Sequence, residues 1–172
     1  VDRGISIFQD QGCDPWLAQA ILLIESPGQI RTSPTGANGA FQLMKSVALE
    51  EGLVVNSRVD EREDFDKAAA AAARFLNRVC IPETRSMLAR QGLSYDETEV
   101  WFRLMVLHVY HAGAGNVGGA LRRISPSEGG MELVTQLWRT RYRGFGNASQ
   151  NYSQVALAAC LELDALVQRM CT

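Results

Sequence analysis

Glu25 is the first residue whose type and setting suit catalysis. It stands four residues after Ile21 and eight after Leu17, so on a helix it projects near the apolar stripe those residues form. It also falls at the predicted end of that helix, where the dipole disfavours negative charge. Partial burial and the dipole both push a carboxyl pKa upward. A carboxylic acid that stays protonated near neutral pH can donate its proton to a leaving oxygen. The competing reading is an ordinary solvated glutamate at a fraying helix end.

The segment that follows favours the chemical reading. Ser33-Pro-Thr-Gly36-Ala-Asn-Gly39-Ala-Phe-Gln42-Leu-Met44 combines two glycines, which permit positive φ and close backbone approach, with hydroxyl and amide side chains. That mixture suits an uncharged polyhydroxyl or amide ligand. No Asp or Glu lies between Glu25 and Glu50. A two-carboxylate glycosidase needs a second acid facing the first, and the local sequence does not offer one.

Other reactive side chains receive plainer readings. His108 and His111 are spaced i, i+3, but no third ligand is evident, so no metal site is expected. Trp16, Trp101 and Trp138 sit in helical patterns and read as core. Arg139, Arg141 and Arg143 read as a solvated basic face. Cys13, Cys80, Cys160 and Cys171 show no CxxC pairing, which argues against a zinc knuckle. The last two are 11 residues apart on one predicted helix, about 16 Å, too far to bridge each other. Either each reaches back to Cys13 or Cys80, or all are buried thiols.

The elements that must position these residues are helical almost throughout. Asp14 is a good N-cap and Pro15 suits the first helical position. Trp16, Leu17, Ala20, Ile21 and Ile24 follow at helical spacing, and Pro27 and Gly28 stop the run. Residues 27–41 read as a structured loop or short ribbon. Helices are predicted over about 42–51, 65–79 and 83–91. Ser94 and Glu97 read as a capping box for a long helix running to Ala112. A break at Gly113–Gly115 precedes helices over about 116–124, 130–141 and 149–170. The fold class is all-α with minimal β: one domain over 1–172, with about seven to nine helices and a ribbon-like loop after the first catalytic helix.

Composition agrees with a globular chain. Its 172 residues are 47% hydrophobic and 21% charged, near ordinary averages. A net charge of −2 gives no general grip on nucleic acid or anionic membrane. No apolar run reaches the roughly 20 residues of a membrane span. The opening VDRGISIFQDQG shows no charged-then-apolar leader, which does not argue for a cytoplasmic protein.

Three motifs in order carry a resemblance. Glu25-Ser26 with Ser33 and GANGAFQLM resembles the first motifs of the soluble lytic transglycosylases, the goose-lysozyme-like murein-cleaving enzymes. HVYHAGAGNV, 108–117, resembles that family's Ala-Tyr-Asn-Ala-Gly-x-Gly-x-Val motif. NYSQV, 151–155, resembles its final tyrosine motif. The match covers most of residues 14–160, and DFDKAAAAAARFL, 64–76, occupies the place of the family's Ala/Gly-rich helix.

The resemblance implies a lysozyme-like helical fold that cleaves the β-1,4 bond between N-acetylmuramic acid and N-acetylglucosamine. It makes Glu25 the single acid/base and Ser33 a support for the substrate's N-acetyl group or the intermediate. Gln42 and Met44 become groove contacts, and Tyr110 and Tyr152 tyrosines close to the catalytic carboxyl. No cofactor is implied. The implied partners are peptidoglycan strands, and a secretion system, a phage or the cell-wall machinery is the kind of assembly such a domain serves. The implied location is exported, in the periplasm or cell wall. A hydrolysing muramidase and a catalytically weak murein-binding module are the alternatives.

Two positions depart from the family pattern. Lys45 stands where Pro is frequent, and His111 where Asn is usual. His111 can replace that Asn as a hydrogen-bond donor or make activity pH-sensitive.

Overall fold

The computed structural model describes residues 1–25, 32–146 and 148–170. The predicted stop at Pro27 and Gly28, and Cys171, lie outside them. The described residues are all-α: nine α-helices, short 3-10 and π turns, and three isolated β-bridges in place of a sheet. The chain divides into two compact units, residues 1–77 with 159–172, and residues 78–158.

The first unit opens with α1 (Asp2–Asp10), a helix that precedes any the periodicity predicts. Tertiary packing supports this short segment, since α1 lies against α2 (Pro15–Glu25) and α4 (Phe65–Phe75). Phe8 is fully buried and stacks on Phe41, which meets Phe65 in turn. The start of α2 is as expected, with the Asp14 carboxylate accepting the Trp16 N–H. Glu25 is its last residue.

The helix predicted from residue 42 begins three residues later, as α3 (Lys45–Glu50). Gln42 has φ +47°, a left-handed backbone that no helix accepts. A cap at Asp64, whose carboxylate accepts the Lys67 N–H, starts α4. Five buried alanines (68, 69, 71, 72 and 73) line its packed face.

The helix predicted over 65–79 ends at Phe75. A π-helical turn, Leu76–Cys80, then runs directly into α5 (Ile81–Arg90). Pro82 therefore sits in the first turn of α5, a helical position that proline tolerates.

The second unit is built around α6 (Val100–Ala112). This helix is buried on nearly every side, from Trp101 through Val109 except Arg103, as a helix apolar all round must be. The Ser94–Glu97 capping box does not form. Glu99 is the N-cap, without a side-chain cap, and Glu97 instead holds Arg85 through two bonds of 2.6 and 2.7 Å.

Only Gly113 separates α6 from α7 (Ala114–Ile124), so the predicted break was too wide. Helices α8 (Met131–Arg139) and α9 (Ala148–Met170) complete the element order. Gly119 of α7 is required by close approach, since a Cβ there would stand 2.0 Å from the Tyr142 ring.

Candidate functional site

The first unit carries Glu25, Ser33, Gln42 and Met44. Glu25 is the last residue of α2 and is half-buried. The loop from 32 to 44 is ordered by its own polar groups. Ser33 N–H donates to the Ala37 carbonyl at 2.7 Å, and Ala37 N–H donates back to Ser33 Oγ at 3.0 Å. Ser33 Oγ also shares a 2.9 Å hydrogen bond with Thr35 Oγ1. A hydroxyl has two acceptor positions and one donor. With Thr35 donating, the Ser33 proton is left for a ligand.

Asn38 and Leu43 exchange backbone hydrogen bonds of 3.1 Å in both directions and form the ribbon expected here. Between them Gly39 has φ +81°, and a Cβ on it would stand 1.8 Å from the Arg62 carbonyl oxygen. Only glycine fits. Gln42 is held in its left-handed backbone while its side-chain amide donates to the Gly39 carbonyl at 2.9 Å. A non-glycine residue there costs about 1–2 kcal/mol, the kind of strain that clusters at functional sites. Met44 follows as an exposed apolar side chain, 43% accessible. Lys45 is exposed as the first residue of α3.

Beneath this loop lies a charged network that sequence reasoning missed. The Arg62 guanidinium is almost fully buried and grips Asp60 as a fork, Nε to Oδ1 at 2.9 Å and Nη2 to Oδ2 at 2.6 Å. Nη1 donates to the carbonyls of Gly36 and Leu43. Asn38 donates to Asp60 and to Glu63, both at 3.1 Å. The Arg62 guanidinium, with help from Asn38, holds the Asp60 carboxyl down at about 2. In sequence, residues 60–64 are four acids around one arginine, and no spacing rule ties Asp60 to a loop more than 20 residues earlier.

The second unit carries Tyr110, His111 and Tyr152. His111 of α6 and Tyr152 of α9 stack face to face, ring centroids 4.2 Å apart at 18°. Tyr152 is buried, Tyr110 half-buried and His111 exposed. Although part of its surface meets solvent, the ring is desolvated enough that burial lowers the His111 pKa below its ordinary 6.5.

His108 takes a different environment. It is fully buried, with Nε2 2.7 Å from Ser153 Oγ and Phe145 edge-on to its ring. The two histidines thus have separate partners, and no group of three potential ligands is assembled among the described residues.

The remaining candidates fall as follows. Trp101 is core, with Nε1 on Glu99 Oε2 at 2.6 Å. Trp16 and Trp138 are half-buried, and Trp138 donates to Ser153. Phe145 is core, and Tyr142 fills the space left by Gly119. Arg139, Arg141 and Arg143 are exposed. Cys13, Cys80 and Cys160 are buried as thiols. Burial pushes Cys13 up to about 12 and Cys160 up to about 11, so neither is a ready nucleophile. A cavity of about 310 Å³ lies between α5 and α7, over Met87 and Leu121, and no sequence-selected residue lines it.

Residues 5–128 of the chain match the family model described as transglycosylase SLT domain. The matched region includes Glu25, the Ser33–Met44 loop, Tyr110 and His111, and stops short of Tyr152. No curated protein and no solved structure matches the chain.

Proposed function

The chain belongs to the transglycosylase SLT domain family, and on that premise we propose that it cleaves peptidoglycan between N-acetylmuramic acid and N-acetylglucosamine without consuming water. One observation carries the proposal. The family match includes a half-buried glutamate on α2, followed in sequence by a polar stretch that supplies no second carboxylate. The two acids the fold does bring to that loop, Asp60 and Glu63, are engaged by Arg62 and Asn38. The all-α architecture is the one expected of a lysozyme-like domain, and residues 1–172 are read as one catalytic domain.

In the proposed mechanism Glu25 begins protonated and gives its proton to the glycosidic oxygen as the bond to the muramic acid anomeric carbon breaks. The substrate's acetamido oxygen supports the developing cation, in place of an enzyme nucleophile. Glu25, now a carboxylate, takes the proton of the muramic acid 6-hydroxyl. That oxygen closes on the anomeric carbon, leaving a 1,6-anhydro end and a protonated Glu25. Ser33 supports the N-acetyl group, and Gln42, Met44, Tyr110, His111 and Tyr152 contact the glycan. No cofactor enters.

The substrate lies outside the cytoplasmic membrane, so the activity is placed there, in the periplasm or cell wall. Among the described residues no helix is long and apolar enough to cross a membrane.

Mass analysis of products from purified sacculi tests the reaction. Anhydro-muramic ends that are absent after Glu25→Gln support it. Reducing ends identify a hydrolysing muramidase instead. Binding without release of fragments identifies a non-catalytic murein-binding module.

A further inference from the structure

Arg62, in the first unit, is a buried cation whose side chain is only 8% accessible. Burying a guanidinium is costly unless it is paired and its hydrogen-bond donors are used. Here the Asp60 fork satisfies two nitrogens, and Nη1 reaches the carbonyls of Gly36 at 2.8 Å and Leu43 at 3.1 Å. Gly36 and Leu43 stand on either side of the Asn38–Gly39 turn, so one nitrogen ties both arms of the loop together.

The same network extends to the far end of the loop. Asp60 accepts from Asn38 Nδ2, and Asn38 Oδ1 accepts from Thr32 Oγ1 at 3.0 Å, next to Ser33. The Arg62 backbone carbonyl occupies the space that a side chain on Gly39 would need. Thus the turn carrying Asp60 and Arg62 supports the loop from Thr32 to Leu43 at each of its bends, yet no side chain of this network is among the predicted ligand contacts.

We propose that Arg62, held by Asp60, is a positioning residue that fixes the Ser33–Gln42 loop in its ligand-receiving conformation. The left-handed backbone at Gln42 makes such a device necessary. A strained residue persists only where its surroundings over-determine it, and the loop's own hydrogen bonds, which span at most six residues, order it internally without anchoring it to the rest of the unit. Lysine at 62 keeps the charge but cannot reproduce a fork plus a third donor direction. The part of this inference that concerns glycan rests on the proposed murein activity; the part that concerns the loop does not.

The test uses the whole chain with Arg62→Lys, and Asp60→Asn as a second variant should the first not fold. Amide hydrogen exchange is read at Gly36, Asn38 and Leu43, with α2 and α4 as internal references. Binding is read with a tetrasaccharide of β-1,4-linked N-acetylglucosamine, and cleavage with purified sacculi. Exchange at the three loop amides is expected to rise at least tenfold against unchanged references. Kd and KM are expected to rise at least fivefold, while the pH limb of kcat stays where the wild type has it. A role in global stability alone would raise exchange everywhere and leave Kd of the folded protein unchanged.

Unchanged loop exchange, or raised exchange with wild-type Kd, overturns the proposal. A wild-type protein that neither binds the tetrasaccharide nor cleaves sacculi overturns the murein reading and the glycan-positioning claim with it. Raised loop exchange would then still establish the Arg62 clamp.

Discussion

His108 Nε2 and Ser153 Oγ lie 2.7 Å apart in the buried interior of the second unit, 45 residues apart in the chain. Trp138 Nε1–H donates to the same oxygen at 2.7 Å. A hydroxyl has two acceptor positions and one donor, so Ser153 Oγ serves the indole and the imidazole at once. Three helices, α6, α8 and α9, therefore share one hydroxyl. The neighbours of these residues in sequence, Tyr152 and the His111 turn, are the ones that stack.

Ser153→Ala should cost about 1–3 kcal/mol, because it leaves a buried imidazole nitrogen and an indole N–H without this partner. Urea unfolding measures it. A loss below about 0.5 kcal/mol, the range of an ordinary surface change, would show that the shared hydroxyl contributes nothing.

Glu25→Gln should lower murein cleavage by about 10²–10⁴-fold, the usual contribution of a general acid–base group. Glycan binding should stay near that of the wild type, since the amide keeps the size and polarity of the acid. Turnover on sacculi and binding to insoluble murein, measured on the same preparation, check both halves. Wild-type turnover by this variant removes Glu25 from the chemistry.

The stack of His111 on Tyr152 should be visible in the titration of the imidazole. Burial lowers its folded pKa below 6.5. The unfolded chain therefore binds the proton more readily, and the stability owed to neutral His111 is lost as pH falls through 6.5 toward the folded value. NMR should place the His111 midpoint below 6.5. Tyr152→Ala, which uncovers the ring, should return it toward 6.5; an unmoved midpoint would show that Tyr152 is not what buries it.

Asp60 should contribute an acid limb to stability. Its pKa falls from 3.8 unfolded to about 2 folded. The stabilisation is therefore complete above the unfolded value and is lost as pH drops through the folded one. With the side chain 22% accessible, that shift corresponds to about 2 kcal/mol. Unfolding midpoints in urea for wild type and Asp60→Asn, compared from about pH 5 to about pH 2, should converge at the acid end. Parallel curves would refute the linkage.

Much of the architecture is legible in local chemistry. Asp14 caps and Pro15 starts α2 because a carboxylate accepts an orphan N–H there and proline gives up a donor no helix needs. The run of alanines in α4 and the apolar girth of α6 mark helices that pack closely. Such signals fail where context outweighs propensity. The helix Asp2–Asp10 is supported by its packing on α2 and α4. The Ser94–Glu97 pair has capping spacing, yet Glu97 finds a stronger, charge-assisted partner in Arg85. Pro82 looks like a terminator but stands in a first turn.

The sequence by itself determined that the chain is helical, that Glu25 lies on a helix, and that a glycine-punctuated polar stretch with no acid of its own follows it in the chain. These depend on residue type and short spacing, which is where periodicity, capping and turn chemistry act. Only the tertiary structure decided that Arg62 and Asp60 support that loop, that Gln42 is held left-handed, and that His108 joins Ser153 while His111 joins Tyr152. Those pairings span about twenty to forty-five residues. They exist because burial requires each charge and each polar hydrogen to find a partner, and the partner is whichever group the packed helices bring within 3 Å or so.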